Sequence, residues 1–205
     1  PTVENGGITN GGKTFKFKIR EGIKFHSGDT LTPEDVEYSI ERNMVLDPDG
    51  GPNWIWFQLF TGNRYSSRDG DGNFQVTFEE IDQAVEVEGD YVVFNLANPF
   101  PPFMSVMAGR WACIVNKSFC VENGDWPGTE ATWKDYNNPP EDQEGLHDIE
   151  DGSGPYKLAR WDKGVEMVHE RFDGYWGEKP PIRRVFYKVV DEWSTRKLML
   201  LQGDA

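Results

Sequence analysis

The residue types that most often carry chemistry are few and scattered in this 205-residue sequence. Its three histidines, His26, His147 and His169, sit in a turn, an acidic stretch and a strand-like run. Hydrolytic catalysis needs a nucleophile, a base and a group that orients the base, and no spacing here spells out such a trio. No Walker loop or Gly-x-Gly-x-x-Gly follows a strand pattern. Carboxylates are abundant, but among 35 acidic residues close pairs arise by chance, so they carry no weight as a glycosidase pair. The reading assigns no catalytic residue and no cofactor. A carboxylate-based hydrolase fragment stays as a rival that would need two acids converging in a pocket.

One stretch has metal-like spacing. From Asp69 to Glu80 the sequence reads Asp-Gly-Asp-Gly-Asn-Phe-Gln-Val-Thr-Phe-Glu-Glu. Asp69, Asp71 and Asn73 would supply oxygens at the first, third and fifth positions of a calcium loop, and Glu80 the bidentate twelfth. Phe74 stands at the sixth position, where the sharp turn needs glycine. A calcium-stabilised extracellular surface module is therefore one alternative, and a Gly/Asp loop without metal is the plainer one. Cys113 and Cys120 lack a Cys-x-x-Cys partner or a histidine placed to complete a zinc site. Whether they pair as a disulfide stays open, because a strand followed by a turn need not bring their Cα atoms within bonding reach. Asn116-Lys117-Ser118 fits a glycan acceptor pattern too short to be informative. Eight tryptophans are many for this length, and such rings either line ligand pockets or fill cores. Trp111, Trp161 and Trp193 are expected in the core. Trp54 and Trp56, in an aromatic cluster between glycine-bearing loops, suit either role.

The elements that must position these groups follow from periodicity. Thr14 to Ile19 alternates apolar and polar residues and predicts a strand with one buried face. Thr32-Pro33-Glu34-Asp35 gives an N-cap, a first-turn proline and first-turn acids, so a helix is predicted over 33–43, with Val36 and Ile40 buried and Glu37 and Glu41 in water. A short helix or turn is expected at 54–60. Runs at 83–88 and 91–96 around Gly89-Asp90 predict a hairpin, and a short helix follows the prolines at 103–107. The stretch 126–151 has neither period and reads as a long surface excursion. A second hairpin is predicted at 155–160 and 165–171, then a strand at 183–190 and a helix at 193–201. Strands and helices in this order predict an α+β fold of mixed sheets with flanking helices, with a plausible boundary near residue 98.

Composition narrows the partners. A formal charge of −14 and a pI near 4.6 argue against a phosphate backbone as ligand. No apolar run of 18 residues is present to span a membrane. Pro1 begins without Met or a signal stretch, and the sequence stops just after an apolar helical run, so the chain reads as an internal portion of a longer protein.

Several ordered blocks carry a resemblance. GKTFKFKIREGIKFHSGDTLTPEDVEYSIER at 12–42, VEVEGDYVVFNLANPFPPFM at 85–104, GSGPYKLARWDKG at 152–164, ERFDGYWGEKP at 170–180 and VVDEWSTRKLMLLQGDA at 189–205 resemble the family 5 extracellular solute-binding proteins, the oligopeptide and dipeptide receptors of ABC importers. The resemblance implies part of a periplasmic binding protein type II fold with the family's extra domain, residues 1–97 being that domain and 98–205 a portion of the first ligand-binding lobe. It implies a monomeric, extracytoplasmic receptor, periplasmic or anchored at the cell surface, that takes peptides or similar small solutes to ABC permease subunits. Nucleic acid is not a partner, and the membrane is met only through the permease or a lipid anchor outside this chain. The same resemblance implies ligand-binding roles for Ser153 with Gly152 and Gly154, for Tyr175 and Trp176, and for Trp54 and Trp56. The acidic stretch 126–151 departs from the shorter peptide-receptor pattern and leaves the nature of the solute open.

Overall fold

A computed structural model describes residues 1–204. Ile8–Thr9 (β1) and Thr14–Lys18 (β2) begin an antiparallel sheet that Val85–Glu88 (β3) and Tyr91–Asn95 (β4) complete, in the order β1-β2-β4-β3. The period-two alternation of β2 turns Phe15 inward, where it meets Phe103 with ring centroids 4.6 Å apart. Gly89, with φ 62°, provides the left-handed residue that the tight β3–β4 turn needs. Four helices accompany this sheet: Pro33–Leu46 (α1), Trp54–Thr61 (α2), Phe78–Asp82 (α3) and Phe103–Met107 (α4). A fifth, Lys117–Glu122 (α5), starts at Asn116, whose Oδ1 accepts from the Phe119 amide at 3.2 Å.

α1 is the axis of this region. Asp35 at its third position accepts from the Thr32 amide at 2.8 Å, which anchors the chain entering the helix. The buried stripe contains Val36 and Ile40 as predicted, continues to Met44, and is wider than the periodicity implied: Glu41 is 7% exposed and Glu37 lies half-buried, its carboxylate accepting from the Val87 amide at 3.2 Å. Both glutamates were expected in water. They are covered because α1 packs on β3 and α3 as well as on its own sheet face.

The 126–151 stretch is not a surface excursion. Trp126 is fully buried and Trp133 nearly so, in the same core as Phe15, Ile40 and Phe94. Trp126 stacks on Tyr38 at 5.6 Å, and the Tyr38 hydroxyl donates to its carbonyl at 2.7 Å. Further on, Asn137 Nδ2 donates to Val45 O at 2.7 Å and the Asn138 amide to Leu46 O at 2.6 Å. These carbonyls belong to the last turn of α1 and have no partner within it, so the segment caps the helix that it covers.

Tyr156–Asp162 (β5), Glu166–Arg171 (β6) and Arg184–Lys188 (β7) form a second antiparallel sheet, with a bulge between Leu158 and Arg160. Trp193–Gln202 (α6) follows it. Contacts divide the chain into one compact unit over Pro1–Ser153 and a second from Gly154 onward. The sequence break near residue 98 lies inside the first unit, because α4, α5 and Trp126 share its core. The second unit is thinly packed: Val168 is its single buried hydrophobic side chain among the described residues, and Phe186, Tyr187, Leu200 and Leu201 are exposed. Trp161 and Trp193, expected in the core, are 40% and 67% exposed there, and Trp111 in the first unit is 43% exposed. Each sits on a turn, an edge or a helix face that no other element of its unit covers.

Among the described residues, no group of three or more His, Cys, Asp or Glu side chains could hold a metal ion. No helix is long and apolar enough to cross a membrane.

Candidate functional site

The Gly152–Gly154 segment precedes β5 and has no regular structure of its own. Its beginning is fixed by the turn around Phe25–Asp29. The His26 amide donates to Gly152 O at 2.8 Å, and the Gly152 amide donates to Glu150 Oε2 at 2.9 Å. The same Glu150 oxygen lies 2.8 Å from His26 Nδ1, a ring only 7% exposed. Next to it, Asp151 is 3% exposed and accepts from the Ser27 amide, the Ser27 hydroxyl and Asn116 Nδ2 at 2.7, 2.7 and 2.8 Å. The Ser27 hydroxyl thus donates to a carboxylate and not to the neighbouring histidine, which is not the arrangement of a nucleophile and its base.

Beyond this network, Ser153 is half-buried and makes no hydrogen bond among the described residues. Neither flanking glycine is required by the chain itself. Both lie outside the left-handed φ region, and a Cβ would meet only ordinary contacts, with Glu150 Oε2 at 3.5 Å and His26 Cε1 at 3.6 Å for Gly152, and Tyr156 O at 4.0 Å for Gly154.

The other residues singled out in the sequence fall elsewhere. Trp54 is 48% exposed on α2, one position before the partly buried Ile55, whereas Trp56 is fully buried, stacked on Phe60, with its indole Nε1 unpaired. Trp56 is a core residue, enclosed with Phe60 in the main hydrophobic cluster and not exposed on the surface of this unit. The α2 entry is tied to α1 through Asn53 Nδ2 and Asn43 O at 2.6 Å, while the 150–153 network meets α1 near Asp35, through Lys117 and its 2.9 Å bond to Asp35. At 1.5 Å per residue the two regions are separated along α1 by about 12 Å. In the second unit Tyr175 and Trp176 lie together, ring centroids 5.2 Å apart, with Trp176 46% exposed. Gly174 and Gly177 permit this aromatic turn, since a Cβ would stand 2.5 Å from the Phe172 ring and 2.8 Å from the Tyr175 ring respectively.

The calcium spacing is not assembled. Asp69 Oδ1 accepts from the amides of Asp71 and Asn73 at 3.0 and 2.9 Å, and the Asn73 bond holds its carboxyl below the usual range. Glu80 points to Arg64 Nη1 at 2.5 Å and accepts from the Thr77 amide at 2.9 Å. Partial burial raises the Glu80 carboxyl, and the Arg64 and Thr77 bonds outweigh that and lower it. Thr77 and Glu80 form a reciprocal capping box at the start of α3. Asp71 and Asn73 remain with the Asp69 turn, so the twelfth position serves a helix end and not an ion. Both cysteines are free; Cys113 is exposed and Cys120 buried, with burial pushing its thiol up to about 12. Asn116, in the glycan-like pattern, is 3% exposed and inside the Asp151 network.

What the sequence did not single out is the network itself. The Phe-His-Ser-Gly-Asp turn and Glu150-Asp151 are over a hundred positions apart, and only the sequence neighbours of Ser153 hinted at them.

Comparison with solved structures places this fold among periplasmic binding proteins. Over 96% of the chain it superposes on Haemophilus influenzae OppA in complex with RPPGFSPFR, with a TM-score of 0.69 at 21% identity, covering 34% of that structure. A PBP named AgaA from A. tumefaciens R10, in complex with agropinic acid, matches 97% of the chain with a TM-score of 0.64 at 25% identity, over 32% of its own length. The profile described as bacterial extracellular solute-binding proteins, family 5 Middle, matches residues 3–205. The chain belongs to that family. The dipeptide-binding protein of Escherichia coli (strain K12) is 26% identical over 204 residues, 96% of this chain and 33% of that protein. The chain therefore spans about a third of the length of the curated relatives it matches.

Proposed function

We propose that this chain provides part of the solute-capturing surface of an ABC importer's binding component, which takes peptides or similar small solutes outside the cytoplasmic membrane and passes them to permease subunits without changing them chemically. The relatives that it matches bear the names of binding proteins for dipeptides and oligopeptides. Capture would work by preferential contact: a ligand shifts an open and closed equilibrium only by as much as it favours the closed form. On this reading residues 1–97 belong to the extra domain and 98–205 to a portion of the first lobe, with the first compact unit running on through Ser153.

The observation that carries the reading is the Gly152-Ser153-Gly154 segment. Its serine hydroxyl has no partner among the described residues, and its glycines are not demanded by backbone geometry or crowding. Glycines of that kind leave the backbone open to close approach by another molecule, and a fixed hydroxyl beside them suits the main-chain groups of a peptide. Trp176 and Trp54 are exposed and Tyr175 partly so, and each could offer aromatic surface; Trp56 acts only through packing. The binding component works as a monomer, and any membrane attachment lies outside these residues.

Titration of the 15N-labelled chain with trialanine tests the site. The amides of Gly152, Ser153 and Gly154 shift, while Gly152→Ala keeps the fold and loses the response. Shifts that avoid these amides altogether would remove the segment from the ligand surface. Binding to these 205 residues alone is weak, so submicromolar affinity by calorimetry contradicts the expectation that most of the ligand's contacts lie outside them.

A further inference from the structure

Ser153 can offer its hydroxyl usefully only if the backbone leading to it is held still, because a polar contact displaced by about 0.5 Å loses much of its directionality. A segment without regular structure does not supply that rigidity. Here it comes from two adjacent carboxylates on one turn. Glu150 Oε2 takes the amide of Gly152 while His26 donates its own amide to the Gly152 carbonyl, so both faces of that residue are tied. Asp151 takes three donors, two from Ser27 and one from Asn116. Asn116 is itself held by Asp29 Oδ2 at 2.8 Å and caps α5, so the network is anchored to a helix. Hydrogen bonds to a carboxylate are the strong kind, and Asp151, 3% exposed, takes three of them. The network reaches Gly152, one residue before Ser153.

We propose that Asp151 and Glu150, through Ser27 and His26, are positioning residues that fix the backbone carrying Ser153; none of the four touches the ligand. The role assigned to Ser153 rests on the ligand-facing reading above, and the fixing of its backbone can be measured without any ligand.

Amide hydrogen exchange and 15N–1H spectra of the 205-residue chain test this with Asp151→Asn, Ser27→Ala and Ser27→Thr. At an exposed position, Ser27→Ala removes the hydroxyl's 2.7 Å bond to Asp151 and the two longer ones it accepts, from the Asp29 amide at 3.4 Å and Asn116 Nδ2 at 3.5 Å. Exchange at the Gly152 and His26 amides then accelerates by about tenfold, the equivalent of one such bond, the Ser153 amide shift moves, and the melting temperature and the amides of β2–β4 stay as they were. Ser27→Thr restores the hydroxyl and returns all three signals. Asp151→Asn produces the same local changes, larger; should it fail to fold, the Ser27 pair still decides. Wild-type exchange at Gly152 and an unmoved Ser153 amide in Ser27→Ala overturn the proposal, and so does a loss spread over the whole first unit. Trialanine added to the wild-type chain judges the ligand reading separately: no shift at Ser153 ends that reading, whereas the positioning role is decided by exchange in the free chain.

Discussion

Arg42 on α1 and Asp125, just ahead of the acidic segment, form a buried ion pair, with Nε at 2.8 Å and Nη2 at 2.5 Å from the same carboxylate oxygen and side-chain exposures of 11% and 1%. The other oxygen of Asp125 accepts the Trp126 amide at 2.7 Å. The pair therefore fixes the point at which residues 126–151 enter the core, and Gly145 returns so close that a Cβ there would stand 2.8 Å from Asp125 Cβ.

Removing one partner strands the other. Asp125→Ala leaves the Arg42 guanidinium buried without an anion and lowers stability by about 3–5 kcal/mol, whereas the double variant Arg42→Met/Asp125→Ala recovers much of the loss. Urea denaturation of the two variants checks this, and equal losses in both would show that the charge is not the cause.

Glu41 gives a pH signature. Burial, then repulsion from Glu37 and Asp82, pushes its carboxyl up to about 8. The folded chain then holds a proton that the unfolded chain releases near the ordinary glutamate value, so Glu41's contribution falls as pH rises from about 4.5 to about 8 and is level beyond. One proton held across a single pH unit is worth about 1.4 kcal/mol, so Glu41→Gln stabilises the chain by a few kcal/mol at pH 8.5 and by little at pH 4.5. Thermal melts of both proteins across that range measure the difference, and parallel curves would contradict it.

The thiols differ in reach. Cys113 is exposed, whereas Cys120 is buried with its thiol pushed up to about 12, so a reagent in solution reaches one thiol only. Ellman's reagent titrates one thiol in the native chain and two in guanidinium. Two rapid equivalents without denaturant would show that the α5 region opens readily.

The second unit does not stand alone. Burying one valine is worth at most about 3 kcal/mol, against a backbone ordering cost of about 1–2 kcal/mol for each residue fixed. A peptide of residues 154–205 therefore shows a coil-like circular dichroism spectrum and no cooperative melt. A sharp transition in that peptide would mean that its exposed Phe186, Leu200 and Leu201 find partners in another copy.

The local signals in the sequence were sound where one element decides its own conformation. Alternation in Thr14–Lys18, the turn at Gly89-Asp90 and the Thr32-Pro33 helix start each specify a backbone state through sterics and capping within a few residues. Thr77-x-x-Glu80 has the spacing of a capping box, but the sequence reads Glu80 only as the twelfth position of a calcium loop, and the structure shows the box. Family membership also lay in the sequence, because ordered blocks survive when geometry is hidden. Tertiary structure alone decided which polar and aromatic groups are enclosed. Glu41 lies on a helix face that periodicity would leave wet, Trp126 and Trp133 lie in a stretch with no hydrophobic period, and Asp151 finds its donors in a turn more than a hundred residues earlier. Burial depends on what arrives from distant segments, and a period counted along one segment carries no information about those arrivals.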